Sequence, residues 1–243
     1  MSFNKRINII IPPLFKRGLG GLINLHIVNP PVPLLQGGKF LLIFVLLIGS
    51  CSAPYKKLPR TELDVSESKN IPYALPYSSK ALIFKADINF YKNNVSGLLI
   101  IKKIDENIYR IALTTQFGLK IFDFELNHGD LKVEYCAEYL SKKVILNTLQ
   151  NDFNLLLMQN KIESIYNYKL EDQNKSVWQL NSGNLNYSYI QDTDSQKIVN
   201  MSFRKQNSEK ISVRLHAYKG DIPGEINLEH HNIKLNMNLK LIQ

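Results

Sequence analysis

The chain has few of the residues that carry covalent or metal chemistry. Its 243 residues include two cysteines, one tryptophan and five histidines. His230 and His231 are adjacent, and neighbouring side chains on a strand point to opposite faces, so together they form a poor metal chelate. No serine or cysteine stands in a nucleophile elbow, and phosphate-binding and dinucleotide motifs are lacking. The sequence therefore predicts a protein that is not an enzyme and that uses no metal and no cofactor.

Long apolar runs are lacking as well. Phe40–Ile48 contains nine apolar residues, whereas a transmembrane helix needs about 20. One interpretation is a buried strand or helix of a cytosolic domain. The other is a secretory signal, because Lys39 precedes the run and the small residues Gly49 and Ser50 lead from it to Cys51.

The stretch Ile48-Gly49-Ser50-Cys51 resembles the lipobox of bacterial lipoproteins. The resemblance implies that residues 39–50 are a signal peptide and that Cys51 is acylated and becomes the first residue of the mature protein. Ser52 stands where an aspartate retains better-known lipoproteins at the inner membrane, so the implied location is the outer membrane, facing the periplasm. Cys136 is then left without a disulfide partner, and we expect it to be a small core residue.

Residues 1–38 are an unusual segment to find ahead of a signal. Two blocks, at 12–21 and 30–38, open with Pro-Pro and close with Gly-Gly. Because proline and glycine codons are reverse complements, one hypothesis is that an inverted repeat in upstream DNA is read through here, with the true start just before Lys39. The alternative is a disordered basic arm.

Removal of this segment and the signal lowers the net charge. The whole chain carries +9, but residues 1–51 hold five of the 30 basic residues and none of the 21 acidic ones. The rest of the chain therefore has a net charge of +4, and no basic run in it exceeds two residues. We expect no nucleic-acid partner for such a chain.

The remaining sequence divides into a tether and one domain. Residues 51–79 hold four prolines, several serines and mixed charges without an apolar period, which predicts a lipidated cysteine followed by a flexible tether. From Lys80 to residue 243, apolar and polar residues alternate with period two between turns rich in asparagine, aspartate and glycine, which predicts about eleven antiparallel strands. Twelve stretches are candidates for these strands: residues 82–90, 97–104, 107–114, 119–126, 130–136, 163–170, 176–181, 184–191, 198–205, 211–218, 225–230 and 233–241.

One segment departs from the strand pattern. Between Glu138 and Gln159, apolar residues recur at steps of three and four without glycine or proline, which predicts one or two amphipathic helices. A break near Asn151-Asp152 would separate the two. The fold class is therefore mainly β (α+β), with a helical insertion.

This layout resembles the LolA/LolB-like lipoprotein carriers and their uncharacterised envelope relatives. The stretches that carry the resemblance are Val95–Lys103, Tyr109–Leu113, Phe117–Leu126, the Gly129 turn and Ile222–Leu228. The resemblance implies a curved, incomplete antiparallel barrel whose mouth the helical insertion covers, with acyl chains bound inside. The sequence shows no counterpart of the apolar loop that protrudes from the family's outer-membrane receptor.

Two functions remain open at this point. In the first, a monomeric outer-membrane lipoprotein binds lipid or lipoprotein acyl chains inside a cavity, with a role in lipoprotein or lipid trafficking. Its predicted lining is Phe84, Phe90, Leu99, Ile101, Phe122, Phe124, Leu149 and Phe153. In the second, these residues fill a closed core, and the protein docks onto another envelope protein in a structural or assembly role.

Overall fold

The computed structural model describes residues 60–66, 71–75, 80–170 and 174–242. The predictions for residues 1–38, for the signal peptide and for acylation at Cys51 lie outside the described residues.

Most of the described chain forms one antiparallel sheet, with a single described α-helix, α1 (Lys143–Leu157), inserted between its sixth and seventh strands. A 3-10 turn, Glu138–Leu140, precedes α1. The strands are β1 (Arg60–Leu63), β2 (Leu82–Phe90), β3 (Asn93–Asp105), β4 (Ile108–Thr114), β5 (Lys120–Asn127), β6 (Asp130–Cys136), β7 (Ser164–Leu170), β8 (Lys175–Ser182), β9 (Leu185–Asp192), β10 (Ile198–Lys205), β11 (Ser208–His216), β12 (Glu225–His230) and β13 (Leu235–Leu241).

The strand order across the sheet is β1-β7-β8-β9-β10-β11-β12-β13-β2-β3-β4-β5-β6. The sheet is curved and does not close, so β1 and β6 are its two edges. Most strands pair with their neighbours in sequence. The exceptions are β1, which pairs with β7, and the β13–β2 pair, which joins the last strand to the second in the middle of the sheet. The predicted fold class, an incomplete antiparallel barrel with a helical insertion, is confirmed. The described chain from Lys80 contributes twelve strands, close to the number expected.

The side chains of each central strand divide between a core face and a polar face. In β13, Leu235, Met237, Leu239 and Leu241 are buried, and the asparagines and lysine between them are exposed. This is the alternation that the period-two pattern predicts for a sheet with one covered face. The covered face carries the hydrophobic core, onto which α1 packs.

The domain begins earlier than the sequence predicted. Arg60–Leu63 pairs with β7 as an edge strand, and Ile71, Ala74 and Leu75 are buried in the core. Tyr73 lies close enough to Tyr109 on β4 to contribute, after burial, to raising the pKa of that phenol to about 12. These residues, which were assigned to the tether, belong to the domain.

The helix is continuous. Ile145, Leu149, Phe153 and Leu156 are buried at the predicted steps of three and four, and Asn151-Asp152 causes no break. No described helix has both the length and the apolar character needed to cross a membrane.

Candidate functional site

A wholly apolar space lies where the start of α1 meets the sheet. We call its lining the apolar seam. Its volume is about 20 Å³, room for about one water molecule. The helix and sheet are therefore in close contact in this conformation. The apolar seam consists of Ile88, Phe90, Val95, Leu113, Phe122, Leu140, Ile145, Leu149 and Leu235.

The eight residues predicted to line a cavity all point into the helix–sheet core. Three of them, Phe90, Phe122 and Leu149, belong to the apolar seam. Phe90 is half-buried, and the other seven are buried. The five that lie outside the apolar seam are Phe84, Leu99, Ile101, Phe124 and Phe153.

Aromatic rings join the helix to the sheet beside the apolar seam. The rings of Phe122 and Phe124 stack with their centroids 4.4 Å apart, and Phe153 of α1 meets Phe122 edge-on at 6.2 Å. Sequence reasoning missed six seam residues. Ile88 shares a face with Phe84 and Phe90, so extending the period-two pattern would have found it.

The second half of α1 is fastened to the sheet by polar contacts. Tyr189 on β9 donates its hydroxyl proton to the carbonyl of Leu155 at 3.3 Å. Gln150 and Asn154 both donate side-chain N–H groups, at 2.8 Å, to the carbonyl oxygen of Gly129 in the β5–β6 turn. Every hydrogen bond between α1 and the described strands and turns of the sheet comes from residues 150–157, which we call the fastened half.

Glycine at position 129 is required by two features of that turn. Its φ is +86°, in the left-handed region, where other residues are strained. A Cβ atom there would lie 2.5 Å from the carbonyl oxygen of Gln159, just beyond the helix end. The turn can therefore approach α1 closely enough to offer its carbonyl to Gln150 and Asn154.

A buried ion-pairing contact also fastens this half. Asp152 Oδ1 lies 2.8 Å from Nε2 of His230 on β12, and both side chains are only 1% exposed. His230 Nδ1 lies 3.0 Å from the carbonyl oxygen of Leu235. Burial raises the pKa of Asp152. Burial acts to lower the pKa of His230, but the contacts with Asp152 and the Leu235 carbonyl together outweigh it, and the pKa is raised.

The first half of α1, Lys143–Leu149, is held differently, and we call it the seam half. It contacts the sheet through Ile145 and Leu149. The residue at its N-cap, Lys142, makes no side-chain capping bond, and the first turn contains no acidic residue. Lysines beside an uncapped helix N-terminus oppose the helix dipole.

The other end of α1 is well capped. Met158 adopts a left-handed conformation, with φ of 56°, and the backbone N–H of Gln159 donates to the carbonyl of Asn154 at 2.9 Å. Such a C-cap satisfies carbonyls that the helix itself leaves free. Capping and tertiary hydrogen bonds thus favour the fastened half over the seam half.

An apolar loop protrudes between β4 and β5. Phe117 is 93% exposed and Leu119 is 69% exposed. The loop is a tight turn, because Thr115 N–H donates to the carbonyl of Leu119 at 2.8 Å and Gly118 N–H donates to the carbonyl of Thr115 at 3.0 Å. The sequence analysis did not predict this exposed apolar turn at residues 115–119.

The remaining candidate groups, the histidines and Cys136, are not arranged for metal binding or nucleophilic catalysis within the described residues. His230 points inward, whereas His231 is part-exposed and lies 3.0 Å from the hydroxyl of Ser212, as expected for neighbouring residues. Among the described residues, no three of the types His, Cys, Asp and Glu cluster as a metal site would require. Cys136 is half-buried, and burial raises the pKa of its thiol, which disfavours the reactive thiolate.

Comparisons with known proteins return distant fold neighbours. No protein-family model matches the chain, and no curated protein matches its sequence. Among solved structures, a LolA superfamily protein from Nitrosomonas europaea aligns with a TM-score of 0.48 and 8% identity, covering 74% of this chain and 90% of that one. A protein described as an outer membrane lipoprotein-sorting protein domain, from Vibrio parahaemolyticus, aligns with a TM-score of 0.41 and 10% identity, covering 73% of this chain and 88% of that one.

A DUF1329 family protein from Desulfovibrio piger aligns with a TM-score of 0.42 and 5% identity, covering 68% of this chain and 85% of that one. Two of these three structures are described in the same terms as the carriers that the sequence resembles.

Proposed function

We propose that this protein is a lipid-anchored envelope protein that holds a lipid, or the acyl chain of a lipoprotein, between the seam half of α1 and the sheet. The observation that carries the proposal is the contrast within α1. The seam half meets the sheet through apolar side chains, and the polar fastening is confined to residues 150–157. An acyl chain can replace apolar contacts without leaving a polar group unpaired.

The bound state requires the seam half to move. A space of about 20 Å³ cannot hold an acyl chain, so the chain would enter as Ile145 and Leu149 lift from the strands. Separating two such side chains costs about 1.5–3 kcal/mol each. Each buried methylene of the ligand contributes about 0.8 kcal/mol, so a chain of ordinary length offsets that cost.

The cellular setting follows from the sequence resemblance. Acylation of Cys51 would anchor the domain, and Ser52 favours the outer membrane with the domain in the periplasm. A lipid-binding domain on such an anchor suits lipid or lipoprotein trafficking. We propose a monomer with the membrane and an acylated ligand as its partners.

Lipid retention by the full chain tests this function. A Cys51→Ser chain, which removes the proposed acyl acceptor, would be delipidated, incubated with phosphatidylethanolamine–phosphatidylglycerol vesicles, and examined by native mass spectrometry. We expect one retained lipid per chain. Val95→Trp fills the apolar seam and should reduce retention at least tenfold, whereas Val133→Trp, at a 42% exposed position on β6, should not.

Loss of retention in both tryptophan variants, or no retention by the starting chain, would contradict lipid binding at the apolar seam. Retention that Val95→Trp leaves unchanged would place the lipid elsewhere on the protein.

A second candidate function is docking onto another envelope protein, and the exposed Phe117 favours it. A hydrogen-bonded turn holds Phe117 and Leu119 exposed to solvent, and exposed apolar surface of this kind marks protein interaction sites. A photo-crosslinking residue at Phe117 should give a discrete protein adduct in intact cells that Leu119→Asp abolishes. The control site is Ile104, 58% exposed at the opposite end of the β3–β4 hairpin. Adducts with phospholipid alone would contradict protein docking.

A further inference from the structure

The hydrogen bonds of the buried pair determine where its protons are. The carbonyl oxygen of Leu235 can only accept a hydrogen bond, so the His230 nitrogen that lies 3.0 Å from it, Nδ1, carries a proton. The other ring nitrogen, Nε2, is then protonated only if the imidazole is charged.

The contact with Asp152 requires one more proton. The separation of 2.8 Å between Nε2 and Oδ1 is a hydrogen-bond distance. Either Nε2–H donates to a carboxylate, which makes an ion pair, or a protonated carboxyl donates to Nε2 of a neutral imidazole. Both forms hold one shared proton. Without it, a buried carboxylate would face a nitrogen lone pair.

We propose that this shared proton makes Asp152 and His230 a pH-dependent latch, which holds the fastened half of α1 on the sheet when it is protonated and releases it when the proton is lost. Release of the fastened half as well as the seam half would let a bound lipid leave the protein. Only this consequence rests on the proposed function.

The latch is well isolated from other titrating groups. On β11, the residue paired with His230 is the apolar Ile211. On β13 the neighbouring group is the Leu235 carbonyl. Tyr189 on β9 bonds the same half of α1 at the Leu155 carbonyl, and burial raises the pKa of its hydroxyl, so it stays neutral. Among the described residues, only the two partners themselves act as charges on each other.

The direction of the pH effect follows from proton counting. In the unfolded or opened chain, Asp152 ionises near pH 4 and His230 loses its proton near pH 6.5. The closed latch keeps its shared proton to higher pH, in agreement with the raised pKa of both groups. Closing therefore takes up one proton above about pH 6.5, and the opening equilibrium constant should rise about tenfold per pH unit until the closed latch itself deprotonates.

Hydrogen exchange of the full chain measures this opening. Amides of residues 150–157 would be followed by mass spectrometry between pH 6 and 9, with the intrinsic base catalysis of exchange subtracted. We expect the opening constant of the unsubstituted chain to rise at least tenfold across this range. His231→Gln, beside the latch but outside it, should leave that rise intact.

The sharpest variant is Asp152→Asn. An asparagine N–H can donate to Nε2 of a neutral His230 without any shared proton, so the latch should stay closed and its pH dependence should disappear. His230→Gln, whose amide can donate to the carboxylate and does not titrate, is the second variant and should also give a flat profile.

A pH-independent opening constant in the unsubstituted chain would overturn the latch. So would an unchanged rise in both variants. If Asp152→Asn fails to fold, His230→Gln alone decides: a folded His230→Gln chain whose opening constant still rises fully with pH would also overturn the latch. None of these measurements involves lipid, so a failed latch and a failed lipid site are distinguishable.

Discussion

The two halves of α1 differ in the kind of contact they make with the same sheet. The seam half meets strands β2, β3, β4, β5 and β13 through apolar side chains alone, whereas residues 150–157 add hydrogen bonds to three separate places on the sheet. Apolar contacts have no direction and can be exchanged for those of a ligand. Buried polar contacts leave an unpaired group when broken. One helix can therefore have one half whose sheet contacts a ligand can replace and another half that stays on the sheet.

The largest effect should come from breaking the fixed end at its buried pair. His230→Ala leaves the Asp152 carboxylate buried without its partner, and breaking a buried pair in this way costs about 3–5 kcal/mol. Urea unfolding of the full chain at pH 7 measures the loss. His231→Ala, at a part-exposed neighbour, should cost under about 0.5 kcal/mol.

Equal effects of the two histidine substitutions would mean that the buried pair does not fasten α1. A large loss in His230→Ala that is recovered by adding Asp152→Ala would support it, because the second substitution removes the orphaned charge.

A matched pair of leucines compares the two halves directly. Leu149 of the seam half and Leu156 of the fastened half are both buried, and either change to alanine should cost about 2–5 kcal/mol in unfolding free energy. Only Leu149→Ala enlarges the apolar seam. We therefore expect Leu149→Ala to retain more lipid than Leu156→Ala in native mass spectrometry.

The same lipid retention in both leucine variants would argue against a replaceable seam half. Added lipid should also restore the thermal stability of Leu149→Ala more than that of Leu156→Ala, because ligand binding to the folded state is linked to its stability.

Two glycines test the contact between the β5–β6 turn and the fastened half. Gly129→Ala combines strain at positive φ with a clash against the Gln159 carbonyl, and we expect a loss of about 2–3 kcal/mol. Gly183 also has a positive φ, of +58°, but faces open space, so Gly183→Ala should cost about 1 kcal/mol. Hydrogen exchange should rise at residues 150–157 in Gly129→Ala alone.

The difference between the two halves was only partly predictable from the sequence. The apolar steps of Ile145, Leu149 and Phe153 predicted a helix with one buried face, since helical periodicity is a local property. The partners of the fastened half were not predictable, because Asp152 and His230 are 78 positions apart and each, taken alone, is a typical surface residue. A polar residue on the buried face of a predicted helix was the available signal.

The strands show the same division between local and long-range information. The alternation in β13 predicted its two faces correctly. β1 was missed because Arg60–Leu63 has no apolar alternation, and its pairing with β7 joins residues about a hundred positions apart through backbone groups. The exposed turn at Phe117 was not predicted, because an aromatic residue beside glycine suits a strand as well as a turn.

The smallest predicted effect concerns the uncapped start of α1. Lys142→Ser supplies an N-cap hydroxyl and removes a positive charge from the helix N-terminus, which together should stabilise the seam half by about 1 kcal/mol. If lipid enters as this half lifts, uptake of a fluorescent fatty acid by the full chain should slow several-fold in stopped-flow measurements. Lys161→Ser, at an exposed position beyond the helix end, should change neither stability nor uptake. A chain stabilised by Lys142→Ser that takes up lipid at the original rate would show that entry does not depend on the seam half.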